Sequence, residues 1–136
     1  MTSDRAHFIL LWMFRFMAVM SISAVGAVVM PHGWMNSIHQ AIGLGEMPES
    51  PVVSYLSRSL SAFYMFFGGL VLYVSRDIPR YREFISFWAK CGLVFATITL
   101  VIDLTAGLPW WWIISEAGFL FGFFVTVIVL IRKIAV

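Results

Sequence analysis

Residues 84–131 read FISFWAKCGLVFATITLVIDLTAGLPWWWIISEAGFLFGFFVTVIVLI. Two apolar runs, Phe84 to Gly107 and Trp110 to Ile131, are separated by little more than Leu108 and Pro109. Each is long enough to cross hydrocarbon as a helix, which takes roughly 20 predominantly apolar residues. Working outward, Val52 to Ser75 and Phe8 to Met30 meet the same requirement. Pro31 and Gly33, Pro48 and Pro51, Pro79, and Gly107 with Pro109 punctuate the gaps. The expectation is an all-α polytopic membrane protein: a four-transmembrane-helix bundle forming a single domain over residues 1–136.

Composition agrees. The chain is 61% hydrophobic and only 12% charged, with a mean hydropathy of +0.92, well outside the range of soluble globular domains. The lipid bilayer is therefore the expected environment. A formal charge of +2 suggests no nucleic-acid surface, because the basic residues lie between or beyond the apolar runs. Arg5 precedes the first span, Arg76, Arg80 and Arg82 fill the middle link, and Arg132 and Lys133 follow the fourth span. The other two links hold no Lys or Arg. By the positive-inside rule both termini and the middle link are cytoplasmic. Trp110 to Trp112 then begin the fourth span at the outer interface, and Tyr73 and Tyr81 flank the inner one.

The first span resembles a signal peptide in its Ala24-Val25-Gly26 stretch, but Arg15 interrupts the apolar core, so a retained helix is expected. Arg15 and Lys90, both near the cytoplasmic ends of their spans, are read as snorkelling to the headgroups. In the outer loop, Trp34, Ile38, Ala41 and Ile42 share one face at helical spacing, which predicts a short interfacial helix closed by Gly43 and Gly45.

Cys91 is the only cysteine. Paired-thiol redox chemistry and a cysteine metal cluster within one chain are thereby excluded, and Cys91 is expected to be a small buried hydrophobe. His32 and His39 lie in the loop rather than on facing spans, an arrangement that does not suit haem. No third ligand stands at helical spacing for a metal. Neither a nucleophile-and-base motif nor a phosphate or dinucleotide loop is visible. The expectation is therefore no metal, no cofactor and no stand-alone enzyme.

What remains is charge inside the spans. Ser54, Ser57, Arg58, Ser61, Tyr64 and Gly68 recur at three- and four-residue steps, so they share one face of the second span, which should turn inward. Gly92, Ala96, Thr99 and Asp103 do the same in the third, while the fourth places Glu116 near a Gly118-x-x-x-Gly122 motif of the kind that lets helices approach closely in lipid. At a rise of 1.5 Å per residue, Arg58, Asp103 and Glu116 all fall within ~10 Å of the outer surface. An unpaired charge at a helix centre costs roughly 2.5 to 3.5 kcal/mol on insertion scales. Convergence of the three is therefore expected, either as a polar lock between helices or as a site for a proton, ion or polar ligand. Two acids against one arginine leave one negative charge over. Protonation of Glu116, positive charge from His39, or a bound cation could each resolve it.

The pattern Arg58-Ser59-Leu60-Ser61-Ala62-Phe63-Tyr64-Met65-Phe66-Phe67-Gly68-Gly69, followed by a basic link and a third helix containing Asp103, resembles the DoxX-like group of small bacterial four-helix membrane proteins. The Leu108-Pro109-Trp110-Trp111-Trp112 turn is similar to one in bacterial relatives of that group. The likeness extends over about the last two thirds of the chain. It implies a multi-pass protein of the bacterial cytoplasmic (inner) membrane, associated in some members with redox or sulfur-oxidising complexes as a small partner subunit. The positions that match are Arg58, Tyr64, Gly68 and Gly69, and no catalytic residue carries over.

Three functions compete at this point. The leading one is a non-catalytic accessory or scaffold subunit of a membrane complex, or a homo-oligomer. The second is a binder or carrier of a small polar or amphiphilic ligand at an outer pocket formed by Arg58, Ser61, Tyr64, Asp103, Glu116 and His39. Proton- or ion-coupled transport ranks last, because small exporters of that kind place the key acid in their first span, where this chain has Arg15.

Overall fold

The structure is a computed structural model in which residues 2–134 are described. Among these the order is α1 (Ser3–Ser23), α2 (Val25–Val29), α3 (His32–Ala41), α4 (Pro51–Val74), α5 (Arg82–Ala106) and α6 (Trp110–Ile131), with no strand. Four stretches are long and apolar enough to cross a membrane: Ser3–Val29, which joins α1 and α2, then α4, α5 and α6. The chain is thus all-α and suited to a multi-pass existence in a bilayer. Large side chains such as Phe16, Leu60, Phe63, Phe87, Ile102 and Phe119 are exposed, as lipid-facing positions should be.

Each helix boundary has a local cause. Ser50 is extended and its hydroxyl accepts from the Val52 amide at 3.2 Å, with Pro51 in the first helical position, so α4 begins on a preorganised cap. Helix α5 ends at Gly107, whose φ of 70° is the left-handed conformation that favours glycine, and the Leu108 amide then donates to the Asp103 carbonyl at 3.3 Å. Between α1 and α2 the hydrogen-bond ladder tightens to three-residue steps, Ala24 N to Ser21 O at 3.2 Å and Ala27 N to Ala24 O at 3.0 Å, with the Ser23 hydroxyl bonded back to Met20 O at 2.7 Å.

The residues divide into two compact units. The first comprises Met1–Trp12 and Arg76–Val136, with the α5–α6 pair at its centre. Ile85, Ala89, Gly92, Ala96 and Asp103 form the buried face of α5, while α6 buries Phe123, Phe124, Val127, Leu130 and Ile131. Phe124 lies so close over Gly92 that any Cβ there would overlap its ring. Trp88 packs edge-on against Phe124 at 5.5 Å between ring centres, and Phe123 does so at 5.3 Å. The middle link adds Ile78, which is fully buried. Its turn is fixed by the Asp77 carboxylate accepting from the Arg80 amide at 3.2 Å.

The second unit is Met13–Ser75. Here α2 packs on α4, and α1 approaches α4 at Gly68, where a Cβ would lie 2.8 Å from the Ala18 carbonyl oxygen. The loop helix α3 is also in this unit. Its polar face meets the returning chain in a regular register. The His39 Nδ1–H donates to Gly45 O at 2.8 Å, Asn36 Oδ1 accepts from the Met47 amide at 2.8 Å, and His32 Nδ1 lies 3.8 Å from Glu49 Oε1. Positions 39, 36 and 32 lie on one helix face, and their partners 45, 47 and 49 lie along the irregular segment that follows, so the chain folds back on itself. Gly45, at a φ of 80°, lies in the reversal. Asn36→Ala is expected to speed hydrogen exchange at the Met47 amide about fivefold, the equivalent of roughly 1 kcal/mol of lost hydrogen bonding. An unchanged rate would mean the hairpin closes without it.

Several sequence expectations are corrected. Cys91 is exposed, not buried: it stands a full residue off the α5 face that carries Ala89, Gly92 and Ala96. Gly118 and Gly122 are exposed and have nothing within 4 Å of where a Cβ would be, so they do not mediate the α5–α6 packing of the first unit. Tyr64, expected to face inward with Arg58 and Gly68, is 44% exposed.

Candidate functional site

Arg58, Ser61, Tyr64 and His39 belong to the second unit, and Asp103 and Glu116 to the first. The charged groups stand in three different settings.

Arg58 sits two turns into α4 and is half-buried. Its Nη2 donates to Met30 O at 2.9 Å, its Nη1 to the Val28 carbonyl, and its Nε to Ser54 Oγ at 3.3 Å. Val28 and Met30 mark the end of α2, where the last carbonyls of a helix have no partner of their own and carry the negative end of the helix dipole. The guanidinium is a planar fork that serves two such carbonyls at once. All three nitrogens are therefore engaged inside the second unit, and main-chain oxygens rather than a carboxylate hold the arginine. The arginine is thereby a cap that ties α4 to the end of α2.

The serines beside Arg58 are also turned to the backbone: Ser57 Oγ donates to Ser54 O at 3.1 Å and Ser61 Oγ to Ser57 O at 2.8 Å. Such back-bonding spends the hydroxyl on its own helix. His39 closes the loop hairpin.

The acids of the first unit are placed differently. Asp103 is 5% exposed, and its Oδ2 is buried with no hydrogen-bond partner among the described residues. Glu116 is half-buried, and its Oε2 accepts from the indole N–H of Trp112 at 2.7 Å, four residues back along α6. Trp111 packs edge-on against Trp112 at 5.7 Å. The register of the α5–α6 pair follows from Gly92 against Phe124 and Trp88 against Phe123 and Phe124. Extended toward the turn, that register brings Asp103 level with the first turn of α6, within about one helical turn of Glu116.

Sequence reasoning missed three features. The Trp112–Glu116 bond had a signal, the four-residue spacing that makes helix neighbours. The docking of the α3 face on the returning chain had one too, since His32 and His39, seven residues apart, share that face with Asn36. The carbonyl partners of Arg58 had none, since main-chain acceptors exist at every residue. Among the described residues, no three His, Cys, Asp or Glu side chains are gathered as a metal site. No protein-family model matches the chain, and no curated protein or solved structure matches it significantly.

Proposed function

We propose that this protein is a non-catalytic accessory or scaffold subunit of a membrane complex. The observation that carries the reading is the α6 surface formed by Ser115, Gly118 and Gly122, which is exposed and has open space where glycine Cβ atoms would be. In lipid, small residues at this spacing let a second helix approach closely, and among the described residues of the first unit none packs on them. A supporting point is the use of Arg58 as a cap on α2, a structural task.

In this reading the protein lies in a bacterial cytoplasmic membrane with both termini and the Arg76–Arg82 link inside, as the distribution of basic residues favours. Likeness to DoxX-like proteins at Arg58, Tyr64, Gly68 and Gly69 is consistent with a small partner subunit. The test is affinity purification of the tagged chain at native expression level in mild detergent. A defined larger complex is expected, and it should be lost on Gly122→Leu while the fold survives. A chain that purifies alone, and whose deletion alters no complex, contradicts the proposal.

A further inference from the structure

We propose that the turn end of the α5–α6 hairpin binds a primary ammonium group, held by the carboxylates of Asp103 and Glu116 beside the indole of Trp112. The argument begins with charge. Between Lys90 and Arg132 the chain has no Lys, Arg or His, and its only charged residues are Asp103 and Glu116. Asp103 lies in the last turn of α5, which has no basic residue there, so the negative end of the helix dipole adds to the potential instead of offsetting it.

The second step is hydrogen bonding. A carboxylate oxygen buried without a donor is costly, and Asp103 Oδ2 has neither solvent nor a partner. Glu116 is already oriented by the Trp112 indole. An incoming group that carries positive charge and several N–H donors satisfies both acids together. Two carboxylates and indole rings suit an alkylammonium better than a hard metal ion, which needs six or more oxygens in the case of calcium and near-octahedral geometry in that of magnesium. Asp103 is covered while Glu116 is half-buried, so entry requires a local rearrangement at this end of the hairpin. In a bilayer the group could be the headgroup of an ethanolamine lipid or a free amine in water.

The test uses the full chain in nanodiscs. In phosphatidylcholine discs, equilibrium dialysis with radiolabelled ethylammonium should reveal one saturable site per chain if free amines are taken. Stabilisation in phosphatidylethanolamine discs relative to phosphatidylcholine discs, read as a higher thermal midpoint, identifies the lipid as the source, because the choline headgroup has no N–H. Either response should weaken about tenfold or more in Asp103→Asn, the loss expected for one charge-assisted hydrogen bond, and to a smaller extent in Glu116→Gln. Linear uptake of ethylammonium together with equal midpoints in the two lipids overturns the proposal without reference to any variant. So does a response that Asp103→Asn and Glu116→Gln both leave unchanged.

Discussion

Arg58→Met is expected to destabilise the folded chain in mild detergent by about 3 kcal/mol, seen as a lowered midpoint of thermal or denaturant unfolding. The methionine keeps most of the side-chain volume and apolar contact, so the loss reports hydrogen bonds. Two charge-assisted bonds to carbonyls disappear, each worth roughly 1.5 to 3 kcal/mol, and the half-buried setting reduces their sum. The carbonyls of Val28 and Met30 are then left without a donor at a helix end. Arg58→Lys should recover only part of the loss, because an ammonium is a point donor and cannot fork across both carbonyls at the same depth. Should lysine restore full stability, charge alone would be sufficient and the bidentate geometry irrelevant.

Gly92→Val should cost about as much, in the other unit and for a different reason. The Phe124 ring occupies the space where a Cβ would go, and the ring is confined by Trp88 and Phe123. Overpacking a close-fitted core typically costs about 1 to 3 kcal/mol and occasionally more. The same confinement predicts coupling. Phe124→Leu should be destabilising alone yet partly restorative in the Gly92→Val background, so the two free-energy changes will not add. Simple additivity would show that Gly92 and Phe124 do not share one packing site.

The two cases also show what was legible in the sequence. The inward face of α5 could be read because burial follows the helical period: Gly92, Ala96 and Asp103 recur on it, whereas Cys91, expected to be buried, falls one residue off that face. The four membrane-length helices were equally clear, since length and hydropathy suffice. The Gly118-x-x-x-Gly122 motif was visible, but spacing says only that a helix could approach, not which one. In the fold, Phe123, Phe124 and Val127 take the packing face of α6, and the glycines are left exposed.

Arg58 shows what the sequence does not display. A charge in an apolar run needs a partner, and acids are the candidates visible in the sequence. The actual acceptors are carbonyls at the end of α2, beyond a tightening at Ala24 that no proline marks. Main-chain groups become available only where a helix stops, and the sequence around Val25–Val29 does not announce that end until Pro31. Asp103 and Glu116 are the unsolved charge of the first unit.

The central claim, that Arg58 serves as the cap of α2, is tested most directly by solid-state NMR of chain in lipid, labelled with 15N at arginine side chains and 13C at methionine carbonyls. A short-range dipolar contact between an arginine Nη and a methionine carbonyl is predicted, present in the native chain and lost in Arg58→Lys. Absence of that contact in the native chain, or its persistence in Arg58→Lys, would contradict the account.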